Sequence, residues 1–405
     1  MTITAPPEAR RLSRAEFIAM MGMIFATVAF SIDAMLPALP DIAAELTPEN
    51  PNLAQLILTS FVLGLGIGTL FAGPLSDAFG RKPVIFAGAL LYVAGAALAY
   101  IAPTLEMILI ARIIQGLGAA GPRVVATAII RDLYSGRDMA QIISFAMLIF
   151  TIFPAVAPMI GAAIIWGFDW HAIFLAFLLF SVLSVGWLMI RQPETLPPPV
   201  RRVLHGPTLW AGLKDCLTLR QMQLSILVQT LIFGALFGTI SSIQQVFDIT
   251  YDRGATFHYW FALIALLAAP AAPLNGVLVI RLGMRPLVRQ ALFAQAAASV
   301  LALVAISLLT LGAVEFWVYL LWSVTVFALA GFTIGNLNAL ALEPLGHVAG
   351  LAASVMGAAA TVGGAALGAL VGQLYNGTAL PLITATLALS AVAWLIMRKM
   401  PREVT

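Results

Sequence analysis

Twelve apolar segments in succession predict an all-α membrane protein built as two bundles of six helices. Of the 405 residues, 61% are hydrophobic and only 10% are charged, whereas soluble domains carry about 25% charged residues. Each segment approaches the roughly 20 residues that a helix needs to cross a bilayer. The loops between them are short, except for one long polar segment that divides six from six. A soluble protein with one large core does not fit this pattern.

The predicted spans follow one another along nearly the whole chain. They comprise residues 17–38, 53–75, 83–101, 105–130, 139–166, 170–190, 221–246, 257–281, 286–310, 314–340, 348–374 and 379–397. The first is too long for a signal peptide and lacks a small-residue cleavage site, so we expect it to remain in the protein. We predict an N-terminal bundle at 1–190 and a C-terminal bundle at 221–405. The Pro-rich, basic segment 191–220 is interpreted as a cytoplasmic linker, either a hinge or a simple tether.

Basic residues indicate the orientation of the chain in the membrane. If both termini are cytoplasmic, 18 of the 21 Lys and Arg residues fall in cytoplasmic segments, as the positive-inside rule requires. The other three are Arg112 and Arg123 in span four and Arg253 in an outer loop. The formal net charge of +3 therefore indicates no nucleic-acid partner.

The segment Gly73-Pro-Leu-Ser-Asp-Ala-Phe-Gly-Arg-Lys82 places an acid and two bases between spans two and three. Polar groups so close to hydrocarbon are expected at a helix end, paired with each other. Gly73 favours close helix packing and Gly80 favours a turn, while Asp77 and Arg81 can form an ion pair and Lys82 can face headgroups. The glycine spacing and one base recur at Gly276, Gly283 and Arg285, which indicates a weak internal repeat.

Ionisable groups inside the spans cost about 2.5–3.5 kcal/mol each on insertion scales, so those present are candidate functional residues. Asp33, near the outer end of span one, is either an interfacial acid reaching for water or a carboxyl that binds and releases a proton. Arg112 lies at a similar depth in span four, where a direct or water-mediated interaction with Asp33 would lower the cost of both charges. Its alternative role is structural stabilisation alone.

One helical face of span four is polar or small-sided, so it must face protein or water rather than lipid. It comprises Arg112, Gln115, Gly116, Ala119, Ala120 and Arg123. Arg123 lies roughly 16 Å from Arg112 along the helix axis, and we assign it no acid in any span. It either contacts an electron-rich substrate group or is satisfied by backbone carbonyls.

Span five has two prolines that bend a helix, Pro154 and Pro158, followed by Gly161, which permits close packing. This is either an ordinary kink or a seal between the bundles that opens and closes. The C-terminal half has amides but no clear mid-span charge, so we expect proton chemistry in the first half and mainly substrate packing in the second. The candidate substrate contacts are Gln115, Arg123, Gln229, Asn336 and Asn338.

Enzymatic and metal chemistry are not indicated by the sequence. The single cysteine, Cys216, allows no internal disulfide, and the four histidines fall at loops or span ends. No Cys/His cluster has the spacing of metal ligands. We therefore expect no metal and no cofactor.

Together these motifs resemble the Bcr/CflA group of drug:proton antiporters in the major facilitator superfamily. The resemblance covers residues 17–398 and rests on Ser31-Ile-Asp33 with Leu36-Pro37-Ala-Leu-Pro40, Gly73 to Lys82 (motif A), Arg112 with Gln115-Gly116 (motif B), Arg131-Asp132, Pro154 to Gly161 (motif C) and Asn338 to Gly350. The chain departs from the pattern at Ala157, where glycine is usual, and at Arg123, where a small or hydroxyl residue is usual.

The resemblance implies two six-helix bundles around a central cavity, working by rocker-switch alternating access. It implies an exporter of small amphiphilic compounds, such as drugs, in the bacterial inner membrane, coupled to the proton gradient. Nothing in the sequence demands an oligomer, so we expect a monomer. It assigns the proton site to Asp33 and coupling to Arg112. The cytoplasmic gate would comprise Gly73, Asp77, Gly80, Arg81, Arg131 and Asp132. Arg123 favours a neutral or anionic substrate and keeps open a dedicated exporter of one metabolite or siderophore.

Overall fold

The computed structural model describes residues 12–201, 206–308, 312 and 314–400. These residues contain 12 helical segments long and apolar enough to cross a membrane, which confirms the predicted all-α membrane architecture. The first segment runs from Arg14 to Leu46, further than predicted. A 3₁₀ turn at Leu36–Ala38 interrupts it just after Asp33.

The part of the chain before the linker forms seven helices. They are α1 (Arg14–Asp33), α2 (Leu39–Leu46), α3 (Leu56–Phe79), α4 (Arg81–Tyr100), α5 (Leu105–Leu133), α6 (Gly136–Gly167) and α7 (Ala172–Arg191). Helix α2 is the short outer continuation of the first span, and the other six each supply one long segment.

The rest of the described chain forms eight helices. They are α8 (Gly206–Thr218), α9 (Arg220–Gln245), α10 (Phe257–Ala268), α11 (Ala271–Leu282), α12 (Met284–Leu308), α13 (Val314–Leu342), α14 (Ala349–Gln373) and α15 (Leu380–Met397). Helices α10 and α11 make one span that is broken next to Pro270, because proline cannot continue the ladder of backbone hydrogen bonds.

Helix α8 lies inside the linker, where the sequence pattern indicated only a semi-rigid connector. It packs against α9 and α14, with Cys216 buried and Trp210 exposed. Burial raises the pKa of the Cys216 thiol, so the reactive thiolate is scarce at neutral pH.

The internal repeat is visible in the backbone. Gly80 and Gly283 both have positive φ, 104° and 79°, a conformation that side chains oppose. Each ends one helix, α3 or α11, directly before the next helix begins. The repeated glycine therefore makes the same tight turn in both halves.

Helices α3 and α5 touch through their backbones. A Cβ on Gly64 would collide with the Ile113 carbonyl oxygen, and one on Gly116 with that of Phe61. This close approach fixes the rotation of α5 and hence the direction in which Arg112 points. The division into two domains stays a prediction, because the largest cluster of buried apolar side chains draws on both halves.

Candidate functional site

Asp33 is the last residue of α1 and is only 5% exposed. Its carboxyl makes no hydrogen bond and no ion pair with any residue that the structure describes. The residue after Asp33 is Ala34, and Gly161 of α6 packs against its carbonyl group. A Cβ on Gly161 would collide with that carbonyl oxygen. Helix α6, which carries motif C, therefore packs against the end of α1 that bears this acid.

Arg112 is fully buried and well bonded. Its guanidinium donates to the carbonyl oxygens of Ser31 at 2.8 Å and Ile57 at 3.2 Å, and to Gln115 Oε1 at 2.7 Å. The rings of Phe61 and Phe177 lie 4.4 Å and 5.6 Å from the guanidinium carbon. Such cation–π contacts stabilise a cation away from water.

Of the two predicted forms of the interaction between Asp33 and Arg112, direct or through water, the direct bond is absent among the described residues, because Arg112 is bonded to backbone carbonyls and Gln115 instead. One of these carbonyls belongs to Ser31, two residues before Asp33 in the same helix. The water-mediated form of the interaction stays a prediction.

Tyr92 of α4 bonds Ser31 beside Arg112, and the sequence did not predict it as a functional residue. The Ser31 hydroxyl donates to the Thr27 carbonyl at 2.6 Å, so Tyr92 donates to Ser31 Oγ, also at 2.6 Å. Gln115 Nε2 has no partner in the described chain. A lone tyrosine within an apolar span is the only signal that could have pointed to it.

Arg123 faces the same side of α5 as Arg112 but is exposed. That side looks between α1 and α3, since Arg112 reaches Ser31 and Ile57 there. Thr127, four residues further along α5, is also exposed, in contrast to the buried Arg112. Arg123 has no hydrogen bond or ion pair with the described residues. Accessibility on this side of α5 therefore increases towards the end that holds both termini.

A polar seam joins the two halves at the opposite end. It comprises Asn52, Gln55, Ser242, Gln245 and Gln373. Asn52 accepts from Gln245 Nε2 at 2.9 Å and from Gln373 Nε2, through its backbone oxygen, at 2.8 Å. Gln55 donates to Gln245 and accepts from Ser242 Oγ at 3.1 Å. This end is closed, and the amides that close it were missed because each is an unremarkable residue near a span end.

The motif A residues form a charged network at the end that holds the termini. Arg81 bonds both Asp77 and Asp132, the latter through Nε at 2.9 Å. Glu194 of the linker, which sequence reasoning missed, accepts from the backbone N–H groups of Arg81 at 3.0 Å and Lys82 at 2.9 Å.

Arg131 and Lys82 lie differently from what the sequence pattern indicated. Arg131 is exposed and bonds none of the residues that the structure describes, so it is not part of this network there. The ammonium of Lys82, expected to face headgroups, instead donates to the Met189 carbonyl at 2.9 Å, because α7 ends beside it. Gly73 lies against Ser354 of α14, where a Cβ would be 3.1 Å from Oγ.

The candidate substrate residues of the second half are not gathered around Arg123 by any contact. Asn336 donates to Asn275 Oδ1 at 2.7 Å and is 4% exposed. Gln229 is 2% exposed, with Oε1 unpartnered in the described chain, and Asn338 is half-buried. In α6, Pro158 is buried and Pro154 half-buried.

The described residues contain no group of three or more His, Cys, Asp or Glu that could hold a metal.

A family model described as Major Facilitator Superfamily matches residues 20–372. The chain belongs to the major facilitator superfamily. A bicyclomycin resistance protein homolog of Haemophilus influenzae is 30% identical over 371 residues, 91% of each chain. Multidrug resistance protein MdtL of Shewanella oneidensis is 30% identical over 332 residues, 81% of each chain. These relatives confirm the resemblance to the Bcr/CflA group.

Solved structures of the superfamily share the fold. The xylose transporter XylE of E. coli, in a partially occluded inward open conformation, gives a TM-score of 0.74 at 13% identity and covers 96% of this chain. The superfamily consists of transporters rather than enzymes, and its members generally use no cofactor. Twelve spans and bacterial relatives indicate a multi-pass protein of the inner membrane.

Proposed function

We propose that this transporter exchanges protons for small amphiphilic compounds and exports them from the cytoplasm. The observation that carries the proposal is Asp33, a carboxyl that is 5% exposed and has no bonded partner in the described chain. An ionised carboxylate without partners is costly in such a place, whereas a protonated one is tolerated. A group of this kind takes up a proton when it is enclosed and releases it when water reaches it. The relatives named for bicyclomycin and multidrug resistance support export of drugs.

Arg112 supplies the coupling in this proposal. While Asp33 is neutral, the guanidinium bonds the Ser31 carbonyl of the same helix end. Once Asp33 ionises, its charge competes for Arg112, because a charge-assisted bond to a carboxylate is stronger than one to a carbonyl. That exchange would pull on α1 and on α6, which packs against it through Gly161. Proton release at Asp33 thus biases the position of two helices.

Substrate would enter from the cytoplasm, the side on which the charge distribution places both termini. Arg123 and Thr127 are exposed on that side of α5, and the polar seam joins the halves on the other side, so we take the described state to admit substrate from the cytoplasm. Rocking the halves would break the seam and close the side of Asp77, Arg81 and Asp132. We therefore assign the motif A network to the cytoplasmic gate, with Glu194 as an added member.

Proton flux in proteoliposomes tests the proposal. Internal pH is followed under an imposed proton gradient while cationic, neutral and anionic compounds are added to wild type, Asp33→Asn and the exposed matched control Asp169→Asn. We expect substrate-dependent flux in wild type and in Asp169→Asn, and none in Asp33→Asn although it still binds substrate. Full gradient-driven transport by Asp33→Asn would exclude Asp33 as the proton carrier. Tight binding of a compound without any proton flux would exclude antiport.

Arg123 favours a second candidate, a dedicated exporter of one metabolite or an anionic siderophore. It is a cation without a bonded partner in the described residues, facing the open space, and such a group suits a carboxylate. Transport by Arg123→Gln separates the two candidates. Selective loss of anionic compounds favours the dedicated exporter, whereas equal transport of all compounds favours the drug exporter.

A further inference from the structure

A cavity of about 380 Å³ lies beside the polar seam on the face away from the termini. One wall comes from α2 and the turn before α3, with Leu39, Ala43 and Pro51. The other comes from the outer end of α9 and the π-helical turn that follows it, with Ser241, Gln244 and Asp248. The cavity therefore spans both halves of the protein, and Gln55 and Gln245 of the seam also line it.

Apart from Gln55, its polar side chains lie on the α9 wall. Ser241 is 1% exposed, and its hydroxyl has no hydrogen-bond partner in the described chain. A buried hydroxyl without a partner is uncommon, because its desolvation is not compensated. Gln244 is 4% exposed and lies beside the carboxyl of Asp248. Ser241, Gln244 and Asp248 thus lie within two turns of helix of one another on this wall of the cavity.

Asp248 gives the cavity its charge. It makes no ion pair in the part of the chain that the structure describes, and no Lys or Arg lines the cavity. The charges that act on it are those of Asp252 and Asp41, both acids. Gly254 leaves room for the carboxyl, since a Cβ there would collide with it. Among the described residues the protein thus supplies no cation to pair with this carboxyl.

We propose that this cavity binds a compact organic ammonium ion with an apolar body. The ammonium would lie at Asp248 with Ser241 and Gln244 as acceptors, and the apolar body would lie against Leu39, Ala43 and the prolines of the opposite wall. Because the two walls belong to different halves, the site exists only while the polar seam is closed. A bound ion therefore favours the closed-seam state, since a ligand stabilises the state that binds it. This inference depends neither on the exported substrate nor on proton coupling.

Binding of phenethylamine, which is protonated at neutral pH, tests the site in the purified full-length protein by calorimetry. We expect Asp248→Asn to weaken binding on the order of tenfold and Ser241→Ala by roughly threefold. Asp169→Asn, an acid on the same face outside the cavity, should bind as wild type does. The uncharged analogue 2-phenylethanol should bind on the order of tenfold more weakly than the amine.

Thiol labelling tests the effect on the seam. Ser242 is 1% exposed and bonds Gln55 across the seam, so the thiol of Ser242→Cys reacts with a polar maleimide only when the halves part. Phenethylamine should slow that reaction, and adding Asp248→Asn should remove the protection. Equal binding by Asp248→Asn and wild type, or equal binding of amine and alcohol, would overturn the proposed site. Binding without protection of the thiol would overturn its link to the seam.

Discussion

The two buried ionisable side chains Arg112 and Asp33 have opposite surroundings. Arg112 has three acceptors and two aromatic rings around it, whereas Asp33 has no partner in the described chain. Charge-assisted hydrogen bonds offset the cost of burying a cation, and the lack of any makes the charge on Asp33 easy to lose. We therefore expect the arginine to keep its charge and position and the acid to be the group that changes its protonation state.

The geometry of the guanidinium, and not only its charge, should matter at Arg112. Arg112→Lys keeps the charge, but one ammonium cannot reach the Ser31 and Ile57 carbonyls and Gln115 together. Losing one charge-assisted bond costs about 1.5–3 kcal/mol, so we expect a lower melting temperature and transport reduced on the order of tenfold. Arg253→Lys, an exposed substitution of the same kind, should change neither. Normal transport by Arg112→Lys would show that coupling needs only a cation.

At the residue scale the sequence reveals charges better than contacts. Asp33, Arg112 and Arg123 are conspicuous because ionisable groups are rare in apolar spans. Their partners are not conspicuous, because the carbonyls that bind Arg112 belong to ordinary backbone and Tyr92 resembles the other aromatic residues of the spans. The sequence allowed a direct or a water-mediated interaction between Asp33 and Arg112, and it could not indicate the backbone acceptors that bind Arg112 instead, because such acceptors carry no signature in a sequence.

Helix-to-helix contacts through glycine set the positions of the elements. Gly161 allows α6 to pack directly on Ala34 at the end of α1. The substitution Gly161→Ala should therefore push away the end of α1 that carries Asp33. Overpacking of this kind costs about 1–3 kcal/mol, and we expect a lower melting temperature together with reduced transport. Gly167→Ala on the same helix would place a Cβ in open space and serves as the control. Unchanged transport by Gly161→Ala would argue against a role for this contact in coupling.

The linker is attached to α4 by a capping contact. Glu194 accepts from the N–H groups of Arg81 and Lys82, the positive end of the α4 dipole, where an acid contributes roughly 0.3–1 kcal/mol. We expect Glu194→Gln to speed hydrogen exchange at these two amides severalfold. Glu106→Gln, which removes an exposed first-turn acid of α5, should leave them unaffected. Unaltered exchange in Glu194→Gln would mean that the cap does not hold the linker.

Element positions follow from the sequence where hydropathy is strong. All twelve spans were predicted from it, with ends that differ by a few residues in most cases. Helix α8 was not, because Gly206 and Pro207 begin it and its buried face depends on contacts with α9 and α14. The tight turns at Gly80 and Gly283 were predicted by glycine spacing, since few other residues tolerate positive φ.

For the whole molecule, the two halves meet along α3 and α14 and are joined by hydrogen bonds across the polar seam. Towards the other end, Gly73 of α3 lies against Ser354 of α14, while Arg123 and Thr127 of α5 are exposed. The sequence did not predict the seam, because both ends carry polar residues and the pairing depends on how the halves meet. Amide pairs suit such a seam, since each net hydrogen bond contributes only about 1 kcal/mol and can break when the halves rock.

A reversible cross-link across the seam tests whether it must open. In a Cys216→Ser background, Asn52→Cys and Gln373→Cys are joined by a short bifunctional thiosulfonate, which spans the site where Gln373 now bonds the Asn52 carbonyl at 2.8 Å. We expect the link to abolish transport and a reductant to restore it, because release on that side needs the halves to part. Each single-cysteine variant, treated in the same way, should transport normally. Transport at the full rate while the link is intact would mean that substrate leaves by another route, and the rocking motion proposed here would have to be abandoned.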